Sequence, residues 1–456
     1  MGTSLTAIRR LLLRMDPSRF AGPAIAVAGA GAVASALGAV GADSRWLAAL
    51  GREIVETRAI PEGVPFAAAA SSEWPNVLVL AELAFRSLHL LGERGFLLAQ
   101  VVAVGFGFAV LARDARRGGA SETATALVLL AVVVGAFTAL AIARLQLFSI
   151  AFFPLMLWLL RRETDNPSRR IWLLVPLIAI WGNLHGAVLV GLAVAAAYLL
   201  FERARVNAVE AALVGLAAAL ALLANPALLQ TIDYYRGVLT NEAARRGTGL
   251  WEPLSLSSPF DVLFLAIAGA LLALALRARP RLWEVLALAG LVFLTLRTAR
   301  SGVWLLFTAA GPAARALPMT AIPRRPVAVA VATALAVAIL LGLARGPRTV
   351  GATDELVESA IERAGPTPIL AEALLAEQVA LAGGTVWVSN PLDAFSRQDQ
   401  RLYLDWLDGR PAGDAALAYA RVVLVEEGGR PEARLRLDER FRPFARSAGV
   451  VGYSAR

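Results

Sequence analysis

The run W-G-N-L-H-G at residues 181–186 interrupts an apolar stretch that extends from residue 171 to residue 200. An amide, an imidazole and two glycines stand where hydrocarbon-compatible side chains are otherwise continuous. The stretch is longer than the roughly 20 residues a helix needs to cross a bilayer. Either one long helix crosses carrying a polar cluster, or two shorter helices meet at a turn, since backbone groups in hydrocarbon must find partners within the chain. The distribution of arginine selects the turn.

Outward from this run, apolar segments near 21–41, 95–112, 121–143, 146–160, 171–183, 186–202, 209–224, 261–276, 283–297, 302–317 and 327–344 predict about eleven crossings. One set of connections carries Arg113, Arg116 and Arg117, then Arg161, Arg162, Arg169 and Arg170, then Arg203 and Arg205, then Arg277, Arg279 and Arg281, then Arg315, Arg324 and Arg325. With a turn at 183–186, all of these share a side with the basic N-terminus of Arg9, Arg10, Arg14 and Arg19, and the positive-inside tendency makes that side cytoplasmic. A single crossing through 171–200 would invert everything after it. The opposite side then receives a long loop at 42–94, the N-L-H-G turn, a second loop at 225–260 and the tail beyond Arg345.

The 456 residues are 58% hydrophobic and 17% charged, with a mean hydropathy of +0.63, which makes this a polytopic membrane protein. Cysteine is absent, excluding disulfides, thiolate metal sites and a cysteine nucleophile. All 44 basic residues are arginine and the formal charge is +9, but the arginines gather in short loops, as topology signals do, so the expected partner is the lipid bilayer and not nucleic acid. A cleavable signal peptide is an alternative for the first apolar run, which is however long enough to span. No G-x-x-x-x-G-K-S/T and no G-x-S-x-G is present, and His89 and His185 are too few for a histidine-built zinc site. Carboxylate and arginine chemistry on the outer face remains.

Asp43 abuts the end of the first predicted span. It reads as a solvated boundary acid or, with Arg45, Trp46 and Arg52 following, as a general base facing an acceptor hydroxyl at the membrane edge. Arg297 and Arg300, in L-T-L-R-T-A-R-S-G-V-W, fall on the outer side against the positive-inside tendency. About one helical turn apart, they can offer bidentate donors to a phosphate or snorkel as helix-end cations. Arg144, in A-R-L-Q-L-F-S, is a third outer cation with the same alternatives. Asn183 and His185 read as interhelical hydrogen-bond glue or as cavity lining. In the second loop, Asp233, Tyr234, Tyr235, Asn241 and Glu242 offer an acid and a stacking surface for a sugar, or an amphipathic helix with its tyrosines and Trp251 at headgroup level.

The first loop predicts an interfacial helix through Leu47, Leu50, Ile54 and Val55, an extended passage at Pro61 and Pro65, and a second amphipathic helix over 71–90 with Trp74 and Glu82. The tail reads as a small α/β unit: helix over 354–382 broken at Pro366 and Pro368, strands at 385–389 and 422–426, a third at V-V-G-Y, a turn at Asn390, Pro391 and Asp393, and a helix at Y-L-D-W-L-D-G-R. The fold class is therefore an all-α polytopic membrane domain, residues 1–344, followed by a soluble extracytoplasmic α/β domain, residues 345–456.

D-S-R-W-L-A-A-L-G-R-E-I at 43–54, I-P-E-G-V-P-F at 60–66, W-P-N at 74–76, R-L-Q-L-F-S at 144–149 and W-G-N-L-H-G, in this order and sidedness, resemble the GT-C class of bacterial membrane glycosyltransferases, which includes protein mannosyltransferases and the catalytic subunit of oligosaccharyltransferase. The resemblance covers about residues 19–317. It implies a polyprenyl-phosphate sugar donor, an acceptor glycan, lipid or protein, an inner-membrane location with the N-terminus cytoplasmic, and inverting transfer on the extracytoplasmic face. In that class an acid of the first loop serves as base, acceptor or metal ligand, which maps onto Asp43. Arginines at the outer ends of late spans hold the lipid phosphate, which maps onto Arg297 and Arg300. Many members carry two adjacent acids where Asp43 is followed by Ser44, so a divalent cation is the one candidate cofactor and the departure leaves dependence on it open. A non-catalytic envelope scaffold with a partner-binding tail is the alternative function. A secondary transporter is disfavoured, as no paired broken helices recur in two halves.

Overall fold

The computed structural model describes residues 21–71, 73–318, 325–348 and 351–456; the basic N-terminus and Arg324, used above for sidedness, lie outside them. α1 (Ala21–Ala36) leads to the two-residue strand β1 (Ala39–Val40), then α2 (Ser44–Thr57) and α3 (Val79–His89) form the first long connection. α4 (Glu93–Arg117), α5 (Glu122–Gly135), β2 (Ile142–Ala143) and α6 (Leu147–Asp165) follow.

The polar interruption is a turn. α7 (Leu174–Gly182) ends beside Asn183, and α8 (Val188–Tyr198) starts beyond it. A Cβ placed on Gly191 would lie 2.4 Å from the Trp181 indole. In one continuous helix these residues would be separated by about 15 Å along the axis, so the chain doubles back and Gly191 leaves the space the indole fills.

α9 (Ala208–Ala221) closes this pair, α10 (Thr231–Thr240) lies in the second loop, and α11 (Pro259–Arg277), α12 (Leu282–Arg297), α13 (Gly302–Ala316) and α14 (Arg325–Arg345) complete the bundle. Helix occupies each predicted apolar segment. Among the described residues, α4 and α11 are long and apolar enough by themselves to cross a membrane, with mean hydropathies of 2.2 and 2.3. α9 exposes Val209, Leu213, Leu216 and Leu220, and α12 exposes Leu286, Phe293 and Leu296. Such faces would drive aggregation in water and suit contact with hydrocarbon.

The tail contains α15 (Asp354–Ala364), β3 (Ile369–Ala371), α16 (Ala373–Leu381), α17 (Arg397–Leu407), β4 (Val422–Glu426), β5 (Phe441–Ser447) and β6 (Val450–Ala455). The sheet order is β3-β4-β6-β5, with β3 parallel to β4 and the other pairs antiparallel. The strand expected at 385–389 is reduced to bridges from Val386 to Ile369 and to Ala67, because this segment is shared between the sheet and the first loop: Ala68 N–H donates to Val386 O at 2.8 Å. Pro443 sits in β5, at the sheet edge where a missing N–H is tolerated.

The tail docks on the loops. Arg52 Nη1 donates to Leu381 O at 2.8 Å, and Arg246 pairs with Asp405 at 2.8 Å. α2 is consequently not an interfacial helix lying free, as its spacing predicts: Ser44, Arg45, Trp46, Leu47, Ala48, Ala49, Leu50 and Gly51 are buried. The second amphipathic helix is also shorter than expected and begins at Val79.

Candidate functional site

Two residues of parallel pairing, Ala39 with Ile142 and Val40 with Ala143, align the chain leading to Asp43 with the chain leading to Arg144. Gly41 N–H and Ser44 Oγ–H both donate to Ala143 O at 2.9 Å. Asp43 emerges from this clamp with φ of 81°, a left-handed conformation that costs a non-glycine residue energy and recurs where function demands a fixed geometry. Its N–H donates to Glu377 Oε1 at 2.9 Å, and its Oδ1 accepts from Trp46 Nε1 at 3.3 Å. Arg144 is held by Gln146, whose Oε1 accepts from Nε at 3.0 Å.

Arg300 comes from the turn between α12 and α13. Ala299 N–H donates to Glu252 O at 2.9 Å, and the Arg300 guanidinium lies 3.8 Å from the centre of the Trp251 ring. Trp251 thus holds an arginine. Arg144 and Arg300 both act electrostatically on Asp43 and on His185. Burial pushes the Asp43 carboxyl above its ordinary range, while Arg144, the Trp46 hydrogen bond and Arg300 pull it back.

Further acids face this centre. Glu377, in α16, also accepts from Asn390 Nδ2 at 2.8 Å, and its Oε2 is buried without a partner. Burial, then the Asp43 charge, raise Glu377 to about 8. Asp393 accepts from Trp74 Nε1 at 2.9 Å, and burial raises it to about 6. Glu82, bonded to Asn76 at 2.9 Å, is raised by burial to about 7. Trp46, Trp74, Tyr234 and Tyr235 form an aromatic wall with successive ring-centre separations of 6.4, 6.0 and 5.2 Å. The tyrosines are therefore buried against the first loop and not interfacial.

A group whose folded pKa lies above its unfolded value stabilises the fold at low pH and loses that contribution as pH rises through the folded pKa. For Glu377 the window runs from its ordinary 4.5 to about 8. The melting temperature is expected to fall between these limits, and Glu377→Gln, which mimics the protonated acid, should flatten the decline; Asp393 and Glu82 keep a residual slope. An unchanged slope in a melting series from pH 5 to 9 would refute the assignment.

The turn residues brace the site. Ser149 Oγ lies 2.6 Å from His185 Nδ1 and accepts from Trp181 Nε1 at 2.6 Å. Asn183 Nδ2 donates to Ala179 O at 2.9 Å and Ala224 O at 2.8 Å, and Asn183 O accepts from Ala81 N–H at 3.3 Å. Buried Arg45 pairs with the partly exposed Glu93, at 2.8 Å through Nε, tying α2 to α4. Other expected site residues lie elsewhere. Asp233 is exposed and pairs with Arg236 at 3.2 Å. Glu242 braces loop against tail, 3.4 Å from Arg401, with its N–H on Gln400 at 2.8 Å. Arg297 is exposed, 5.5 Å from the Phe293 ring centre. Among the described residues no group of three or more His, Asp or Glu is placed to hold a metal ion.

Sequence reasoning missed Glu377 and the role of Asp393. The available signal was an acid inside the apolar helix A-L-L-A-E-Q-V-A-L, where Leu375, Ala376, Val379 and Ala380 are buried around it.

The fold is a helical membrane bundle capped at one end by a small α/β tail. That arrangement is shared with ArnT from Cupriavidus metallidurans: the apo structure matches with a TM-score of 0.53 and 15% identity over 93% of this chain and 95% of that one. The same protein bound to undecaprenyl phosphate matches with a TM-score of 0.50 and 14% identity over 94% and 97% of the respective chains. The resemblance to the GT-C class is met at the level of the fold. No protein-family model and no curated protein matches the sequence.

Proposed function

We propose that this protein transfers a sugar from a polyprenyl-phosphate donor to an acceptor hydroxyl, with inversion, on the extracytoplasmic face of a bacterial inner membrane. The observation that carries the reading is the convergence of Asp43, Arg144 and Arg300 beneath the tail, brought about by the β1–β2 clamp and the Trp251 strap. Asp43 accepts the acceptor's proton as its oxygen bonds to the anomeric carbon. The bond from that carbon to the phosphate oxygen breaks, and its electron pair leaves with polyprenyl phosphate. Arg144 and Arg300 stabilise the charge that develops there, where fixed cations lower the barrier most.

A donor phosphate between the two arginines also weakens their pull on Asp43. Since burial already favours its protonated form, donor binding makes the carboxylate a stronger base. The apolar groove between α8 and α12, about 250 Å³ and lined by Val190, Val194, Ala197, Leu286, Gly290 and Leu294, suits the first isoprene units. Phe293 also lines it and Arg297 lies over the Phe293 ring, which supports a role for Arg297 at the lipid entrance and not at the reacting atoms. The aromatic wall offers stacking surface for a sugar.

The test is turnover by full-length protein in proteoliposomes with labelled polyprenyl-phosphate hexoses and pentoses. Release of polyprenyl phosphate in step with loss of donor label is expected. A folded protein that neither binds nor consumes any of these donors would leave the scaffold reading in its place.

A further inference from the structure

The opposite end of the bundle holds a polar cavity. α4 runs from Glu93, bonded to Arg45 near Asp43, to Arg117, a length of about 36 Å, so this cavity is remote from the proposed chemistry. It is a cleft of about 190 Å³ between the ends of α4, α6, α12 and α13. That is smaller than the roughly 300–1,000 Å³ of pockets that enclose drug-sized molecules and suits a single compact anionic group.

Its floor is a buried, neutralised cluster. Arg161 donates to Asp114 Oδ2 at 2.5 Å, Glu284 Oε1 at 2.9 Å and Thr308 O at 2.7 Å. Fixed in this way, Arg161 and its two acids give a rigid base with one net negative charge, which Arg315, beside Glu284, balances. The rim is different. Arg117, Arg162 and Arg279 line it together with one exposed acid, Asp165, and none of the three has an acid within ion-pair distance among the described residues; Arg162 stands over the Trp158 ring at 5.4 Å, Arg315 lies 3.9 Å from Glu284 and Arg281 3.3 Å from Glu202. Two features show construction beyond a topology signal. Arg279 adopts φ of 51°, a conformation rare for a long side chain and disfavoured further by the following Pro280. A Cβ on Gly118 would meet Arg315 Cδ at 2.9 Å, so glycine there lets that guanidinium lie across the cleft.

We propose that this cleft is a second, non-catalytic binding site for a phosphate group, presented by the headgroup of an anionic phospholipid or by a soluble phosphate. Guanidinium forks match phosphate oxygens bidentately, and basic pockets between membrane helices are suited to anionic headgroups. The inference does not depend on the transferase reading, and its test reads binding.

Full-length protein is purified in neutral detergent, and two quantities are measured: retention of phosphatidylglycerol or cardiolipin against phosphatidylcholine, and thermal stabilisation by inorganic phosphate. Wild type should retain anionic lipid selectively, and Arg117→Gln/Arg162→Gln/Arg279→Gln should weaken retention by on the order of a hundredfold, about fivefold per arginine. Arg113→Gln, at an exposed arginine of the same helix end outside the cleft, should bind as wild type. The corresponding triple lysine variant guards against misfolding and should recover part of the retention. A phosphate effect lost in the triple glutamine variant without any lipid selectivity supports the site with a soluble ligand. Equal behaviour of wild type and the triple glutamine variant in both arms overturns it, as does an equal loss in Arg113→Gln, which would mean diffuse surface attraction.

Discussion

Asp43→Asn is expected to lower the rate of sugar transfer about 10²–10⁴-fold, the contribution typical of a positioned general base. The substitution preserves shape. Its side-chain oxygen still accepts from Trp46 Nε1, and its backbone N–H still reaches Glu377, so α2 should start as before. What is lost is the proton-accepting electron pair. Donor binding should change little, because Arg144 and Arg300 are untouched and one opposing negative charge is removed. The pH profile gives an independent readout. With burial holding the carboxyl above its ordinary range, the wild-type rate should rise with pH through the folded pKa and level off above it, and this limb should vanish in Asp43→Asn. Single-turnover transfer measured across pH settles the matter: full activity in the variant, or an unaltered limb, removes Asp43 from the role of base.

The hairpin at W-G-N-L-H-G was legible because two physical constraints act on it together. Polar groups inside an apolar run need partners, and arginine-rich connections must alternate with crossings. The chain turns with Trp181 packed on Gly191, and the polar groups of the turn find Ala179 O, Ala224 O and Ser149. Asp43 stood out for a related reason, as an acid at the end of a span beside an indole. The clamp that positions it was not legible. Ala39–Val40 and Ile142–Ala143 are the ends of apolar segments, and a strand of two residues carries no periodicity to read. Glu377 reaches Asp43 across 334 positions of sequence, a pairing no local pattern encodes. The three outer arginines looked alike in sequence, and the turn after α12 separates them: Thr298 is extended, and the Ala299–Ser301 turn that follows directs Arg300 onto Trp251 while Arg297 stays on the last turn of the helix over Phe293. β5 escaped notice because Pro443 argues against a strand unless its place at the sheet edge is known.

That separation makes the arginines a graded test of the leaving-group assignment. Arg300→Ala and Arg144→Ala should each reduce kcat/KM about 10²–10³-fold, the loss seen when one fixed donor to a developing oxyanion is removed. Arg297→Ala should cost only a few-fold, since an exposed cation at the lipid entrance is screened and acts on capture more than on the reacting atoms. The double variant Arg144→Ala/Arg300→Ala should lose less than the product of the single effects, because both arginines act on one phosphate and both attract Asp43. Arg300→Lys should remain impaired, as an ammonium can neither lie flat on Trp251 nor offer two parallel donors. Binding of sugar-free polyprenyl phosphate should follow the same order across the variants. If Arg297→Ala proves as damaging as Arg300→Ala in both measurements, the phosphate sits at the end of α12 and the proposed centre moves with it.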